Sequence, residues 1–287
     1  MTTTRESISR SAARTFAFLL RVANGFRRNQ GFLLAGAVAY YTLLSIVPLS
    51  IIALVVLTHV IEEQQLIHTL SIYLEMVIPG YAATLTEQVR AFLEYRKVIG
   101  LIGFLGMLFF SSLAFSMLES AMSVIFFHPV RTQKRTFLVS ALIPYLYIAA
   151  MGLGIVLVSS IVGAIEAMES SLSILGWSIN LGGATGIALY VLGLVGEVLM
   201  LTSLYLVMPA AEVRFRYALV GGITATVLWE ITRRVLIWYY AAVSMVNVIY
   251  GSIAITVVAL LSIEVVTIIL LLGAQVIAEL EREKDGA

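Results

Sequence analysis

The chain has 287 residues, of which 60% are hydrophobic and only 12% are charged, and its formal net charge is +1. Soluble domains carry about a quarter charged residues, so this composition excludes an ordinary water-soluble enzyme and favours membrane-spanning helices. The near-neutral net charge does not identify the kind of partner, and the lack of cysteine excludes disulfides and thiolate metal sites.

Residues 1–30 are predicted to form a basic amphipathic helix on the cytoplasmic surface of the membrane. Apolar residues such as Phe16 and Phe26 recur at helical spacing, with arginines between them. Arg14 and Arg21 interrupt the apolar stretch that a secretory signal would need, so a signal peptide is not expected. The alternative is a short soluble tail packed on the helix bundle.

A transmembrane domain of six helices is predicted for residues 31–277, which makes the chain an all-α integral membrane protein. The predicted spans are residues 31–60, 98–118, 137–163, 181–208, 218–245 and 252–277. The more polar residues 61–97 predict an extracytoplasmic helical hairpin between spans one and two, and residues 278–287 a cytoplasmic tail. Pro48 lies within the first span and predicts a helix kink, because proline removes one backbone hydrogen bond.

An even number of spans places both termini on the same side of the membrane. Of the 18 lysines and arginines, thirteen would then lie on that side, three on the other side and two within a span. The excess of positive charge predicts that the N- and C-termini are cytoplasmic.

Ionisable residues within the apolar stretches are the candidate functional residues, because charges inside a bilayer are expensive and mark substrate or ion pathways. They are Glu197 in span four, Glu230, Arg233 and Arg234 in span five, and Glu264 in span six. Glu230 can pair with either arginine, three or four residues further along the helix. Glu197 and Glu264 are candidate partners on neighbouring helices. The alternative interpretation is a buried ion-pair network that fixes helix register.

These five charged residues predict a substrate or proton pathway, with Tyr40 and Tyr41 as possible wall residues. The arginines could bind an anionic small molecule or a phosphate-bearing lipid headgroup. Secondary transporters place their sites near the bilayer midplane, so we expect a transporter, exporter or lipid flippase. The alternative is a non-transporting scaffold for envelope proteins. Glycine-rich helix faces also allow a homo-oligomer.

Several kinds of site are missing from the sequence. No glycine-rich phosphate loop ending in Lys-Ser or Lys-Thr is present, so ATP-driven transport by this chain alone is not expected. His59, His68 and His128 lack a metal-binding spacing. Neither a nucleophile triad nor an aromatic, basic nucleic-acid surface is found. We therefore expect no catalytic residues, no metal, no cofactor and no nucleic-acid partner.

The segment from Gly36 to Pro48, GAVAYYTLLSIVP, resembles the most recognisable segment of the YihY/BrkB family of bacterial inner-membrane proteins. Further similar segments occur in the family's order, namely Met208-Pro209, Leu228-Trp229-Glu230, Ile249-Tyr250-Gly251-Ser252 and Leu272-Gly273-Ala274-Gln275. Family members often carry Glu at the position of Gln275. The resemblance covers about residues 25–280 and implies a six-helix protein of the bacterial inner membrane.

Part of that family carries the historical label ribonuclease BN. RNA hydrolysis usually needs metal ligands or positioned acid–base groups in water, and the short cytoplasmic loops of this chain offer neither. We therefore expect no ribonuclease activity, and no enzymatic activity of another kind.

Overall fold

The computed structural model describes residues 2–59, 62–77, 82–126, 145–147, 149–150, 152–154, 160, 182–209, 213–242 and 247–285. Within them lie the helices α1 (Thr2–Arg28), α2 (Gly31–Leu57), α3 (Glu63–Val77), α4 (Ala82–Ile125), α5 (Gly182–Val207), α6 (Phe215–Ala242) and α7 (Asn247–Asp285). A short apolar helix occurs at Tyr145–Gly154. These residues form no β-strand, which confirms the predicted all-α class for the described part of the chain.

Among the described residues, four helical segments are long and apolar enough to cross a membrane. They are Gly31–Leu57, Leu105–Ile125, Tyr190–Val207 and Val257–Lys284, which correspond to predicted spans one, two, four and six. Helix α6, the predicted fifth span, is continuous but is not among the four, and it carries Glu230 and three arginines, Arg216, Arg233 and Arg234. The predicted third span lies mostly outside the described residues. The count of six therefore stays a prediction.

Two predicted boundaries fall inside continuous helices. Helix α4 runs from Ala82 to Ile125, so the second helix of the predicted hairpin 61–97 continues into span two without a break. Helix α7 likewise continues through the predicted tail as far as Asp285. Hydropathy changes at both boundaries, but no proline interrupts the backbone there, so the helices continue. Helix α1 lies within residues 1–30, and its predicted location on the cytoplasmic surface of the membrane stays a prediction.

The chain divides into two compact units, which are Met1–Ala39 with Ser116–Ala287, and Tyr40–Phe115. In the second unit Ser45 joins α2 to α4, because its hydroxyl donates to the Phe110 carbonyl at 2.9 Å and accepts from the Ala114 N–H at 3.2 Å. Pro48 lies inside α2, which continues to Leu57. The kink at Pro48 stays a prediction.

The core of the first unit lies where α5 ends, α6 begins and α7 approaches its C-terminus. We call residues 201–209, 218–226 and 267–279 of these helices the packed end. Its buried apolar side chains include Leu201, Leu204, Tyr205, Met208, Ala218, Ala225, Leu271, Ala274 and Ile277. Helix α1 also contacts α7, and its Val22 and Phe26 are buried.

Glycines bring the helix backbones of the packed end together. A Cβ atom at Gly273 of α7 would lie 3.1 Å from the Gly221 carbonyl oxygen of α6 and would collide with the Tyr205 hydroxyl. Gly222 of α6 faces α5 instead, where a Cβ would collide with Thr202. Tyr205 is fully buried and donates a hydrogen bond of 2.8 Å to the Leu270 carbonyl. Small residues thus allow three helices to meet closely.

The opposite parts of the same helices are packed more loosely. We call residues 190–200 of α5, 227–236 of α6 and 257–266 of α7 the open half. Large apolar side chains remain exposed there, including those of Val195, Leu199, Val227, Ile231, Val235, Val257 and Leu261. A Cβ at Gly193 or Gly196 would meet no described atom within 4 Å. All five predicted charged site residues lie in this open half.

Candidate functional site

Glu230 of α6 is held by two neighbours. The Arg233 guanidinium, one turn further along the helix, donates to its Oε2 at 2.8 Å, and the Tyr190 hydroxyl of α5 donates to the same oxygen at 3.3 Å. The Glu230 side chain is only 15% exposed, whereas that of Arg233 is 46% exposed. The spacing allowed Glu230 to pair with Arg233 or with Arg234, and the structure forms the pair with Arg233, three residues further along the helix.

Glu197 of α5 lies within electrostatic reach of this ion pair. Its carboxylate is repelled by Glu230 and attracted by the Arg233 guanidinium. Its Oε1 atom is buried, and no hydrogen bond reaches it from the described residues. Leaving a buried polar group unpaired is unfavourable by about 1–3 kcal/mol, and by more for a charged group. Glu197 is therefore the predicted site residue that has a buried oxygen without a hydrogen-bond partner.

The remaining two charged residues lie apart from the ion pair. Oε1 of Glu264 on α7 lies 3.7 Å from the position that a Cβ of Gly36, near the start of α2, would occupy. Arg234 is exposed, and within the described part of the chain its guanidinium forms neither a hydrogen bond nor an ion pair. The structure thus brings Glu197, Glu230 and Arg233 together and leaves Arg234 and Glu264 outside the pair.

Tyr40 and Tyr41 belong to the second unit. Their rings pack edge to face, with the ring centroids 5.3 Å apart and an interplanar angle of 78°. Tyr40 is exposed. Their predicted role as wall residues of a pathway stays a prediction.

A buried polar network at the edge of the packed end was not expected from the sequence. Gln275 is fully buried; it accepts a hydrogen bond of 2.9 Å from Asn29 Nδ2 and donates one of 3.2 Å to Glu279 Oε1. Arg282 donates to the same Glu279 oxygen at 3.1 Å. Glu279 was assigned to the tail, although it is nearly buried. Glu279 follows Gln275 by four residues and Leu271 by eight, and this helical spacing is the signal that could have placed it on the same buried face.

Metal binding receives no support from the described residues, because no group of three or more His, Asp or Glu side chains could hold an ion there. The charged side chains of the open half are one ion pair, two further carboxylates and one further guanidinium. Such a set can bind charged groups or exchange protons.

The family described as Virulence factor BrkB matches residues 22–287 of the chain. A UPF0761 membrane protein of Alkalilimnicola ehrlichii is 27% identical over 90% of this chain and 57% of its own length. One of Rhodospirillum centenum is 26% identical over 91% of this chain and 56% of its own. One of Mannheimia succiniciproducens is 25% identical over 89% of this chain and 86% of its own.

The chain thus spans little more than half the length of the first two relatives. Their names specify a membrane protein and state no activity. No solved structure matches the chain.

Proposed function

The chain belongs to the BrkB family of membrane proteins, and from this premise we propose that it moves a substrate across the bacterial inner membrane. It acts as a transporter, exporter or lipid flippase, with six spans and cytoplasmic termini. Its substrate is anionic or phosphate-bearing. The pathway runs through the open half, past the five charged residues of α5, α6 and α7.

The observation that carries this proposal is the buried, unpartnered oxygen of Glu197 beside the Glu230–Arg233 pair. A bundle selected only for stability gains little from such groups, since apolar replacements of buried ion pairs are often as stable. Ionisable residues within spanning helices commonly line substrate pathways or proton relays. Glu197 is therefore the group that we assign to proton exchange or substrate contact.

The substrate class follows from Arg234. An arginine in the centre of a spanning helix is unfavourable by about 2.5–3.5 kcal/mol on insertion scales. Arg233 is compensated by Glu230, whereas Arg234 has no partner among the described residues. A guanidinium presents a planar fork that matches phosphate and carboxylate groups. Arg234 is thus the group that we assign to the anionic part of the substrate.

The packing of the helices supports a pathway on this side of the core. The packed end leaves no room even for a methyl group at Gly221, Gly222 or Gly273, so it can hold the helices in place. The open half has space around Gly193 and Gly196. A rigid end next to a loosely packed charged region is an arrangement in which helices can move apart without unfolding.

The proposal can be tested with purified full-length protein in liposomes of bacterial polar lipids. Two assays are run: movement of fluorescent phosphatidylglycerol between leaflets, and uptake of labelled small anions under a proton gradient. The parent protein should exceed empty vesicles in at least one of them. Glu197→Gln and Arg234→Gln should each lower the rate about tenfold or more, as expected for loss of one charge-assisted contact.

Arg216→Gln is the matched control, because Arg216 is an exposed arginine in the first turn of the same helix, outside the charged group. It should keep the parental rate. If Glu197→Gln and Arg234→Gln fold like the parent and move substrate as fast as Arg216→Gln, the site assignment is wrong. A parent protein that moves no substrate in either assay would favour the scaffold.

A further inference from the structure

A second group of charged residues lines a cleft between α1 and the C-terminal turns of α7. The cleft has a volume of about 380 Å³. We call it the basic cleft, and its lining residues are Arg21, Asn24, Gly25, Arg28, Glu279 and Arg282. Ligand pockets commonly begin at about 300 Å³, so the cleft can hold a small headgroup.

The charges of the basic cleft do not balance. Its lining contains three arginines and one carboxylate. Arg282 is paired with Glu279 at 3.1 Å, and Arg21 is paired at 3.1 Å with Glu283, which lies just outside the lining. Arg28 makes no ion pair or hydrogen bond with any described residue. One positive charge therefore remains available to an anion.

The floor of the cleft is held in position by hydrogen bonds. Glu279 accepts from both Gln275 and Arg282, which orients the Arg282 guanidinium. Gly25 keeps this floor open, because a Cβ there would lie 2.5 Å from Gln275 Nε2 and 2.9 Å from Glu279 Oε1. The site is thus preorganised before a ligand arrives, which reduces the ordering that binding requires.

Exposed apolar residues lie on α1, the helix that carries Arg21 and Arg28, and at the start of α2. On α1, Phe16, Leu19 and Leu20 are each about half exposed or more. At the start of α2, Phe32 and Leu33 are exposed as well. Exposed apolar side chains beside arginines are typical of helices that lie in the membrane interface, where acyl chains and charged headgroups are both in reach.

We propose that the basic cleft binds a phosphate-bearing anionic group, with Arg28 as the principal contact and Arg21 and Arg282 at its sides. Arginine donates paired hydrogen bonds to phosphate oxygens, and basic pockets at the cytoplasmic ends of helices bind anionic headgroups. The phosphate could belong to a membrane lipid or to a free phosphate ester. This site is separate from the charged residues of the open half and does not depend on the proposed transport, but its location on the cytoplasmic side rests on the proposed topology.

The test uses full-length protein in a neutral detergent, with the thermal unfolding midpoint as the readout. One arm adds phosphatidylglycerol, a second adds phosphatidylcholine, and a third adds glycerol phosphate. Phosphatidylglycerol should raise the midpoint more than phosphatidylcholine does. Arg28→Gln should raise the concentration of phosphatidylglycerol that gives half of the maximal shift about tenfold, as expected for one lost charge-assisted contact.

Arg27→Gln is the matched control, because Arg27 lies in the same last helical turn, is exposed, and does not line the cleft. It should change the half-maximal concentration less than twofold. Asn24→Asp is a second variant that adds a negative charge without removing an arginine, and it should weaken binding as well. A response to phosphatidylglycerol alone assigns the phosphate to a lipid, and a response to glycerol phosphate as well assigns the site to phosphate esters in general.

Two results would overturn the proposal. One is an Arg28→Gln protein that responds like the Arg27→Gln protein. The other is a parent protein for which neither phosphatidylglycerol nor glycerol phosphate acts more strongly than phosphatidylcholine.

Discussion

The same three helices, α5, α6 and α7, behave differently at their two ends. At the packed end a methyl group added to Gly221, Gly222 or Gly273 would collide with a neighbouring helix, whereas at Gly193 and Gly196 it would meet no described atom within 4 Å. Lipid supplies no hydrophobic force between helices, so their association depends on close contact and hydrogen bonds. Stability should therefore reside mainly in the packed end.

Polar groups follow the same division. The packed end satisfies its largest polar side chains, since Tyr205 donates to a backbone carbonyl and Gln275 makes two hydrogen bonds. Two small neutral hydroxyls there, those of Thr202 and Thr226, are buried without a partner. In the open half the unpartnered atom belongs to a carboxyl group, that of Glu197. A carboxyl group is far harder to bury than a hydroxyl, and the unpartnered one lies where packing is loose, whereas the buried Glu279 carboxylate of the packed end accepts hydrogen bonds from Gln275 and Arg282.

Two matched glycine substitutions should test the difference in packing between the two regions most directly. Gly273→Ala should lower the free energy of unfolding by about 1–3 kcal/mol, because its Cβ collides with Tyr205 and approaches the Gly221 backbone. Gly193→Ala should raise it by up to about 1 kcal/mol, because alanine is a better helix former and has space. Reversible unfolding in mixed micelles measures both, and changes of the same sign would contradict the division into two regions.

The polar network of Gln275 and Glu279, at the edge of the packed end, should respond strongly to a single added charge. Gln275→Glu replaces the amide that donates to Glu279 with a carboxylate, so two negative groups would meet at a nearly buried position. The free energy of unfolding should fall by about 1–3 kcal/mol, since a hydrogen bond is replaced by repulsion. The same unfolding measurement should show recovery when Glu279→Gln is added. A Gln275→Glu protein as stable as the parent would mean that this network is open to water.

The helices were predictable from the sequence because backbone groups in lipid must be satisfied within their own segment, so long apolar runs become helices. Spacing also reduced the partners of Glu230 to Arg233 and Arg234. It could not choose between them, nor could it show that Gly221 faces Gly273. Both depend on how each helix is rotated against its neighbours, which the pattern along a single helix does not specify. Glu279 was missed because hydropathy marks where the apolar stretch ends, whereas the helix and its buried face continue beyond that point.

Two tyrosines, one in the packed end and one in the open half, allow the loss of a single hydroxyl group to be compared between the two regions. Tyr205→Phe removes a buried hydroxyl and its hydrogen bond of 2.8 Å, and should lower the free energy of unfolding by about 1 kcal/mol. Tyr190→Phe removes an exposed hydroxyl that donates to Glu230 at 3.3 Å. The free energy of unfolding, measured in mixed micelles, should therefore change by less than about 0.5 kcal/mol. Equal effects at both positions would show that burial does not distinguish them.

Combining Tyr205→Phe with Gly273→Ala identifies which contact limits the space at Gly273 of α7, that with α5 or that with α6. The atom nearest to an added Cβ at Gly273 is the Tyr205 hydroxyl oxygen, followed by Cζ of the same ring at 2.8 Å and the Gly221 carbonyl oxygen at 3.1 Å. If the hydroxyl is the obstacle, Tyr205→Phe should make Gly273→Ala less destabilising, with a coupling of at least about 0.5 kcal/mol. Strictly additive effects would instead assign the limit to the contacts that Tyr205→Phe leaves in place, which are the ring carbon Cζ and the Gly221 carbonyl oxygen.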